Sequence, residues 1–221
     1  MDNIDTSTQG VEVAYNKRER VFYNLIKRTC DIVLSLIAIL LLSPVFLIVA
    51  LAVRFDSKGK VVFGHERIGQ GMKKIKIYKF RSMYENSQEI FNNFTDEQKK
   101  EYYINFKLEN DPRITRIGGF LRKTSLDELP QLINILKGDM SIVGPRPIVE
   151  KEIEKYGIYA ETVFSVLPGL TGYWQANGRS DTTYEERVQM DMYYIKNRSL
   201  WMDIKIIFKT FISVLKKEGA V

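Results

Sequence analysis

An uninterrupted apolar run near the start of the chain constrains its fold more than any other feature. Residues Ile32 to Val53 contain no Asp, Glu, Lys or Arg, and the polar side chains among them are Ser35 and Ser43. As a straight helix the run is about 33 Å long, enough to cross a hydrocarbon core of roughly 30 Å. It predicts that the rest of the chain works against a lipid bilayer.

Basic residues flank this run on both sides. Those nearest to it are Lys27, Arg28, Arg54, Lys58 and Lys60. Because positive residues favour the cytoplasmic side of a membrane, a simple span would carry one of the two clusters across. Pro44 lacks a backbone donor and can break the helix, and Ser43 can bond a carbonyl that Pro44 leaves free. We therefore expect a re-entrant helix–break–helix at Ser43-Pro44, with a simple span as the alternative.

The remaining organisation is that of one membrane-associated domain. Residues 1–20 are typical of a flexible tail, residues 21–54 form an amphipathic approach and the re-entrant helix, and residues 55–221 suffice for a cytosolic domain with its own core. The expected fold class is α+β, helix-rich with a short β-hairpin made of Lys60–Glu66 and Lys74–Phe80. A signal peptide is disfavoured, because the start of the chain is polar and no small-residue cleavage site follows the run.

The last segment predicts an amphipathic helix, Leu200–Lys217. Ile204, Phe208 and Phe211 share one side of it, and Trp201 stands at its start. An apolar side with an interfacial Trp suits a helix that lies in the headgroup plane. An ordinary surface helix packed on the core fits the same pattern.

Charge and the rare residue types narrow the chemistry. The net charge is +6, and basic domains bind nucleic acid, anionic membranes or phosphorylated ligands, of which the apolar run favours the last two. The chain has one cysteine, Cys30, and one histidine, His65. This excludes an internal disulfide and leaves zinc sites, Ser-His-Asp triads and Cys-His dyads without most of their parts. Carboxylates, Arg and Lys must then supply the chemistry, with or without an oxygen-liganded metal.

Two adjacent carboxylates, Asp127 and Glu128, form the chemical centre of the sequence. Locally this segment predicts a helix start, with Asp127 as the N-cap and Pro130 in the first turn. Ser125 and Glu128 also have the spacing of a capping box. On local grounds alone the pair needs no other role.

Capping does not account for the cations near Asp127. Arg122 precedes it, and Arg146 follows in a rigid Gly-Pro-Arg-Pro loop. Arg holds phosphate oxygens bidentately, and carboxylates together with phosphates are the usual ligands of Mg²⁺. A carboxylate can also be the nucleophile of a phosphoryl transfer, with cations offsetting the repulsion between the two anions. The pattern therefore favours phosphate chemistry at Asp127.

A series of motifs runs through the chain in order. They are Lys79-Phe80-Arg81-Ser82-Met83, Asn110–Thr115, Thr124–Gln131, Lys137–Ser141, Gly144-Pro145-Arg146-Pro147, Pro168–Gly172, Tyr173–Arg179 and Asp191–Tyr194. Together they resemble the bacterial sugar transferase family, the monotopic phosphoglycosyl transferases, over roughly residues 20–218. The re-entrant helix of that family carries a Ser-Pro break, which Ser43-Pro44 matches.

The resemblance implies a two-step reaction. Asp127 would attack the sugar-bearing phosphorus of a UDP-sugar, UMP would leave, and a phosphosugar would stay on the enzyme. Undecaprenyl phosphate would then accept it and become undecaprenyl-diphosphate-sugar, on the cytosolic face of the bacterial inner membrane. Asp127 and Glu128 would help to hold Mg²⁺, with Glu128 positioning the metal or the acceptor.

The resemblance also implies which residues contact the substrates. Arg122 and Arg146 match arginines of the family that hold phosphates. Lys79 and Arg81 flank a strand end, where they reach phosphate or form a solvated pair.

Two further candidates belong to the nucleotide-sugar pocket. They are Arg179, which follows Gly178, and Asp191, for which an acid on a helix surface is the alternative.

The identity of the sugar and the functional class are less constrained. The chain begins almost at the catalytic unit and so resembles the minimal form of the family. Its middle segment, Glu101–Asn110, is closer to hexose-1-phosphate transferases of capsule and O-antigen pathways, which favours galactose or glucose over an acetamido sugar. The resemblance to longer members of the family also leaves a homodimer open. The other classes are a basic membrane-anchored scaffold, in which Asp127-Glu128 only cap a helix, and a nucleic-acid-binding protein, which the apolar run disfavours.

Overall fold

The computed structural model describes residues 17–105, 108, 110–178 and 182–216, and it combines a long N-terminal helix with short helices and strands. The helices are α1 (Lys17–Asp56), α2 (Ser87–Asn92), α3 (Asp96–Asn105), α4 (Arg116–Thr124), α5 (Gln131–Lys137), α6 (Ile153–Tyr156), α7 (Ala160–Val163), α8 (Tyr173–Asn177), α9 (Tyr184–Asn197) and α10 (Leu200–Lys216). The strands are β1 (Val62–Ile68), β2 (Lys74–Phe80), β3 (Ser141–Val143) and β4 (Gly169–Thr171). The predicted mixture of helices with a short hairpin is confirmed.

The predicted hairpin consists of β1 and β2, which pair antiparallel through a 3₁₀ turn at Gln70–Met72. His65 lies opposite Ile77, and Phe63 lies opposite Lys79. Alternate residues of a strand point to the same side, and directly opposed residues share a side. The hairpin therefore presents His65, Arg67 and Lys79 on one face.

A second, parallel pair of strands, β3 and β4, was not predicted, because each strand has three residues and lies beside Gly and Pro. The strands approach so closely that a Cβ on Gly169 would lie 2.1 Å from the backbone nitrogen of Gly144. The Gly169 N–H donates to the Pro145 carbonyl at 2.8 Å, and the Ile68 N–H donates to the Ile148 carbonyl at 2.8 Å. The loop that carries Arg146 is thus fixed between β4 and the end of β1.

Helix α1 has 40 residues, is about 60 Å long and is apolar enough to cross a membrane. It continues through Pro44, so the break in helical structure expected at Ser43-Pro44 is not present. The Ser43 hydroxyl donates to the Leu40 carbonyl at 2.9 Å. Leu40 lies four residues before Pro44, so this carbonyl is the one that the missing proline N–H would have bonded. The expectation that Ser43 compensates for Pro44 is confirmed, and this bond lets the helix continue.

The first half of α1 is bonded to the segment that follows Asp127. The Arg28 guanidinium donates to the carbonyls of Ile135 and Leu136 at 2.6 and 3.0 Å, at the end of α5. The Asp31 carboxylate accepts the Ile142 N–H at 2.9 Å. Farther along the helix, Val49 and Val53 pack into a buried cluster with the domain.

Arg81 follows β2 and caps the end of α1. Its guanidinium donates to the carbonyls of Lys60, Ser57 and Val53 at 2.6, 2.6 and 3.1 Å. The last carbonyls of a helix have no partner within it; Arg81 supplies one to Val53 in the last turn and bonds two carbonyls of the segment that follows, Ser57 and Lys60. Arg81 is 7% exposed and engaged with backbone, so the structure gives it a structural role in place of the phosphate contact that we expected.

Helix α10 has both faces that the sequence predicted. Asp203 and Ile206 are buried against the domain, whereas Trp201, Ile204 and Phe208 are exposed. The inner face packs as in an ordinary surface helix, and the outer face offers large apolar side chains.

The Asp203 carboxylate joins the two ends of the chain. It accepts hydrogen bonds from the Tyr23 hydroxyl and the Lys27 ammonium at 2.9 Å each. The Tyr194 hydroxyl donates to its other oxygen at 2.8 Å. This buried group therefore holds the start of α1 against α10.

Replacing Arg81 with glutamine is expected to lower the thermal midpoint of unfolding by on the order of 5 °C, because buried carbonyls lose their donors. Circular dichroism of the protein in detergent measures the shift. Arg54→Gln is the matched control, since Arg54 lies in the last turn of the same helix and is exposed. Equal shifts in the two variants would contradict the capping role.

Candidate active site

Asp127 and Glu128 lie in a 3₁₀ turn, Leu126–Glu128, between α4 and α5. Ser125 ends α4 in the left-handed conformation, with φ of 55°, and its side chain makes no capping bond. Helix α5 begins at Gln131. Both capping predictions are therefore wrong: Asp127 lies inside the turn, and Ser125 and Glu128 form no capping box. The side chains of the pair are left available for other contacts.

Lys79 lies between the two carboxylates. Its ammonium is 2.6 Å from Oε1 of Glu128 and 3.9 Å from Oδ2 of Asp127. Asp127 is 7% exposed, whereas the Glu128 side chain keeps 25% of its surface accessible. One cation on β2 thus holds two negative groups.

Arg122 lies on the Asp127 side of this arrangement. Its Nε donates to the Ser82 hydroxyl at 3.0 Å. Helix α4 approaches that segment through Gly118, where a Cβ would lie 2.0 Å from the Ser82 carbonyl oxygen. Burial lowers the pKa of Arg122, and the charge of Asp127 acts in the opposite direction.

A small pocket, open to solvent, lies on the Glu128 side. It is lined by His65, Arg67, Ile77, Lys79, Glu128, Gln131, Arg146, Pro147, Gly169, Leu170 and Gln175. Asp127 is not part of its wall and lies beyond Lys79. The structure therefore brings Lys79, Glu128 and Arg146 together at the pocket, with Asp127 and Arg122 adjacent.

The two carboxylates have opposite pKa shifts. Burial raises the pKa of Asp127, the charge of Lys79 opposes this shift, and the neighbouring charge of Glu128 adds to it. Burial also raises the pKa of Glu128, but the charges of Lys79 and Arg146 outweigh burial, and the net pKa lies below its usual value. Glu128 is consequently a stabilised anion, whereas the ionised form of Asp127 is disfavoured.

The donor chemistry of the pair fits Mg²⁺. Two adjacent carboxylates suffice for this ion when phosphate oxygens and water complete the octahedron. In the part of the chain that the structure describes, no group of three His, Cys, Asp or Glu side chains gathers to form a larger metal site. Any such ion would share the carboxylate oxygens with Lys79.

One predicted substrate contact, Asp191, is not part of this assembly. Asp191 is fully buried on α9, accepts a hydrogen bond from the Tyr156 hydroxyl at 3.2 Å and does not line the pocket. Burial raises the pKa of Asp191 to about 7. It is neither a pocket residue nor the surface acid of the alternative interpretation, but a core carboxyl. Arg179 lies outside the described residues.

Several pocket residues had no role predicted from the sequence. Among them, Arg67 and His65 have ionisable side chains. The available signal was their spacing of two residues, with His65 inside the predicted strand Lys60–Glu66 and Arg67 one residue beyond its end, opposite the strand of Lys79. Gln131 ends the motif Thr124–Gln131, and Gln175 lies in the motif Tyr173–Arg179. Neither motif indicates that the two side chains line the same pocket.

The chain belongs to the bacterial sugar transferase family, whose model matches residues 22–217. It is 51% identical over 198 residues to the UDP-galactose-lipid carrier transferase of Erwinia amylovora and 48% identical over 198 residues to the undecaprenyl-phosphate galactose phosphotransferase of Salmonella typhimurium. Each match covers 88% of this chain and 41% of the relative. The exopolysaccharide production protein ExoY of Sinorhizobium fredii is 45% identical over 197 residues, covering 88% of this chain and 87% of the relative. The chain thus spans about two fifths of the two longer relatives.

Neutralising the two carboxylates is expected to have opposite effects on stability at pH 7. Asp127→Asn should leave the protein as stable or more stable, because it removes a disfavoured buried charge. Glu128→Gln should destabilise it by roughly 1–3 kcal/mol, because Lys79 loses its closest partner. Thermal unfolding in detergent measures both.

The effect of pH follows from the direction of each pKa shift. The raised folded-state pKa of Asp127 makes its ionised form costly at high pH, and this cost disappears as the pH falls through that pKa. The pKa of Glu128 is lower in the folded protein than in the unfolded chain, so its ionised form stabilises the fold at any pH above the unfolded-state pKa. This stabilisation is lost as the pH falls through the folded-state pKa. A destabilising Asp127→Asn at pH 7 would contradict the assignment.

Proposed function

We propose that this protein transfers a sugar-1-phosphate from a UDP-sugar to undecaprenyl phosphate at the cytosolic face of the bacterial inner membrane. The observation that carries the proposal is the Lys79 ammonium between Asp127 and Glu128, beside a pocket lined by Arg67 and Arg146. A buried carboxylate next to an anion-binding pocket suits nucleophilic attack on a phosphate ester. The names of the two galactose-linked relatives support the choice of donor and acceptor.

In the first half-reaction Asp127 is the nucleophile. One of its carboxylate oxygens bonds to the sugar-bearing phosphorus, the bond from that phosphorus to the UMP oxygen breaks, and UMP leaves with the electron pair. Lys79 and Arg122 offset the repulsion between the carboxylate and the diphosphate. The product is a phosphosugar bonded to Asp127.

In the second half-reaction a phosphate oxygen of undecaprenyl phosphate attacks the same phosphorus. The bond to Asp127 breaks, which restores the carboxylate and releases undecaprenyl-diphosphate-sugar. Glu128 stays ionised throughout, because its pKa is low, and it holds Lys79 near the reacting phosphate.

Asp127 and Glu128 are also the residues that would hold Mg²⁺. When bound there, the ion neutralises charge on the phosphate oxygens. Because Lys79 contacts both carboxylates, it must share their oxygens with the ion or move toward the substrate.

We propose that α1, although helical throughout, kinks at Pro44 in the membrane, so that it enters and leaves the bilayer by the same face. Its first half is bonded to α5 and its end is capped by Arg81, and both partners belong to one domain. A simple span would place these two attachments on opposite sides of the membrane. The most exposed side chains of the apolar run surround Pro44, which puts this part of the helix deepest in the lipid. They are Leu40, Leu41, Leu47 and Ile48.

Incubation with Mg²⁺ and UDP-galactose or UDP-glucose, without a lipid acceptor, is expected to add the mass of one hexose phosphate to the protein. Intact-protein mass spectrometry measures the gain, which Asp127→Asn should abolish and undecaprenyl phosphate should clear. Release of UMP with acceptor but without an adduct would contradict Asp127 as the nucleophile. An adduct formed only with acetamido sugars would correct the sugar. Neither an adduct nor UMP from any UDP-sugar would favour a scaffold.

The single cysteine makes the membrane topology testable. Cys30 before the run, and Lys58→Cys in a Cys30→Ser background after it, should both react with an impermeant maleimide from the cytosolic side only. Inside-out and right-side-out vesicles separate the two sides. Reaction of the two positions from opposite faces would establish a simple span and overturn the re-entrant proposal.

A further inference from the structure

Arg67 brings a largely buried guanidinium to the pocket, and the protein engages it only weakly. Its side chain is 19% exposed, Nη1 lies 3.6 Å from Oε2 of Glu152, and Nη2 lies 3.4 Å from Nδ1 of His65. Arg81, by comparison, makes three bonds of 2.6–3.1 Å to carbonyls. A guanidinium has five N–H donors. In the described part of the chain the contacts of Arg67 are long, so most of its donors can serve a ligand.

The charges around Arg67 favour an anion. Burial lowers its pKa, and the positive charge of Arg146 lowers it further. Burial, together with Arg67 and Lys79, also lowers the pKa of His65 to about 4, so this ring is neutral at pH 7 and can accept from Arg67. Three cations therefore line the pocket against the single carboxylate of Glu128. Concentrated, partly desolvated positive charge of this kind is stabilised by an added anion.

Glu152 is the carboxylate that pairs with Arg67, at 3.6 Å, and it is itself held in place. Its Oε2 accepts the Val149 N–H at 2.8 Å, and its Oε1 accepts the hydroxyl of Tyr184. Tyr184 is the first residue of α9, which Thr183 caps through a bond to the Glu186 N–H. The carboxylate is thus held from two sides, by its own loop and by a distant helix. Arg67 then points into the pocket against a rigid partner.

We propose that Arg67 binds a phosphate group of a substrate, and that Glu152 and Tyr184 are positioning residues that hold its guanidinium at the pocket. The proposal rests on the transferase function given above. Phosphate is presented by two sources, the diphosphate of the UDP-sugar and the headgroup phosphate of undecaprenyl phosphate. A planar guanidinium can bind either one bidentately.

The test measures UMP release by the full chain in detergent, with UDP-galactose and undecaprenyl phosphate varied separately. In a ping-pong reaction kcat/KM for each substrate reports its own half-reaction. Arg67→Lys keeps the positive charge but removes the planar guanidinium, and Glu152→Gln removes the carboxylate that pairs with Arg67. Each variant should lower kcat/KM for one substrate about tenfold, as expected for the loss of one charge-assisted hydrogen bond. Tyr184→Phe should act in the same direction. Glu150→Gln is the matched control, since Glu150 pairs with Lys74 at the exposed surface two residues away.

The outcomes separate the possibilities. A loss confined to the UDP-sugar assigns Arg67 to the donor diphosphate, and a loss confined to undecaprenyl phosphate assigns it to the lipid phosphate. The Arg67→Lys/Glu152→Gln double variant should be no worse than Arg67→Lys alone, because Glu152 acts through Arg67. Variants that behave like Glu150→Gln, or equal losses for both substrates together with a lower thermal midpoint, would overturn the inference. Wild-type protein without UMP release from any UDP-sugar would instead overturn the transferase function on which the inference depends.

Discussion

The carbonyls at the ends of two helices create the constraint on which the rest of this structure depends. At the end of α1, Arg81, next to the strand that carries Lys79, donates to the Val53 carbonyl in the last turn and to the Ser57 carbonyl just past it. The end of α5 has the same need, and Arg28 of α1 meets it. The long helix thus supplies donors to the catalytic-site segment, and that segment's neighbour Arg81 supplies donors to the long helix. Because Lys79 precedes Arg81 by two residues, and α5 follows Glu128 closely, these bonds connect α1 directly to the segments that carry the carboxylate pair and its lysine.

The buried charges of the site are stabilised only where opposite charges lie next to one another. Glu128 is stabilised by Lys79 and Arg146, whereas Asp127, one residue away, is destabilised by burial. Adjacent residues with opposite shifts can take different roles, one as a constant anion and the other as a reactive group. Because burial disfavours its ionised form, Asp127 lowers the folding stability at pH 7.

Local patterns predicted the hairpin and the bond from Ser43 to the Leu40 carbonyl, because each depends on residues near in sequence. The role of Arg81 could not be predicted, since its partners lie more than twenty residues earlier in the chain. Asp191 was misassigned for a similar reason: whether an acid on a helix faces a pocket or the core depends on packing. Arg67 had a usable signal in strand periodicity, but Glu152, which holds it, comes from a distant loop.

The bonds from Tyr23 and Lys27 to Asp203 have a consequence for biosynthesis. Their sequence separations are 180 and 176 residues, so the ribosome must make most of the chain before these bonds can form. At about 5–20 residues per second this interval lasts roughly 10–35 s. During that time the apolar helix is already exposed, without the partners that fix its start. The nascent chain therefore needs the lipid surface, or a factor that shields the helix, well before translation ends.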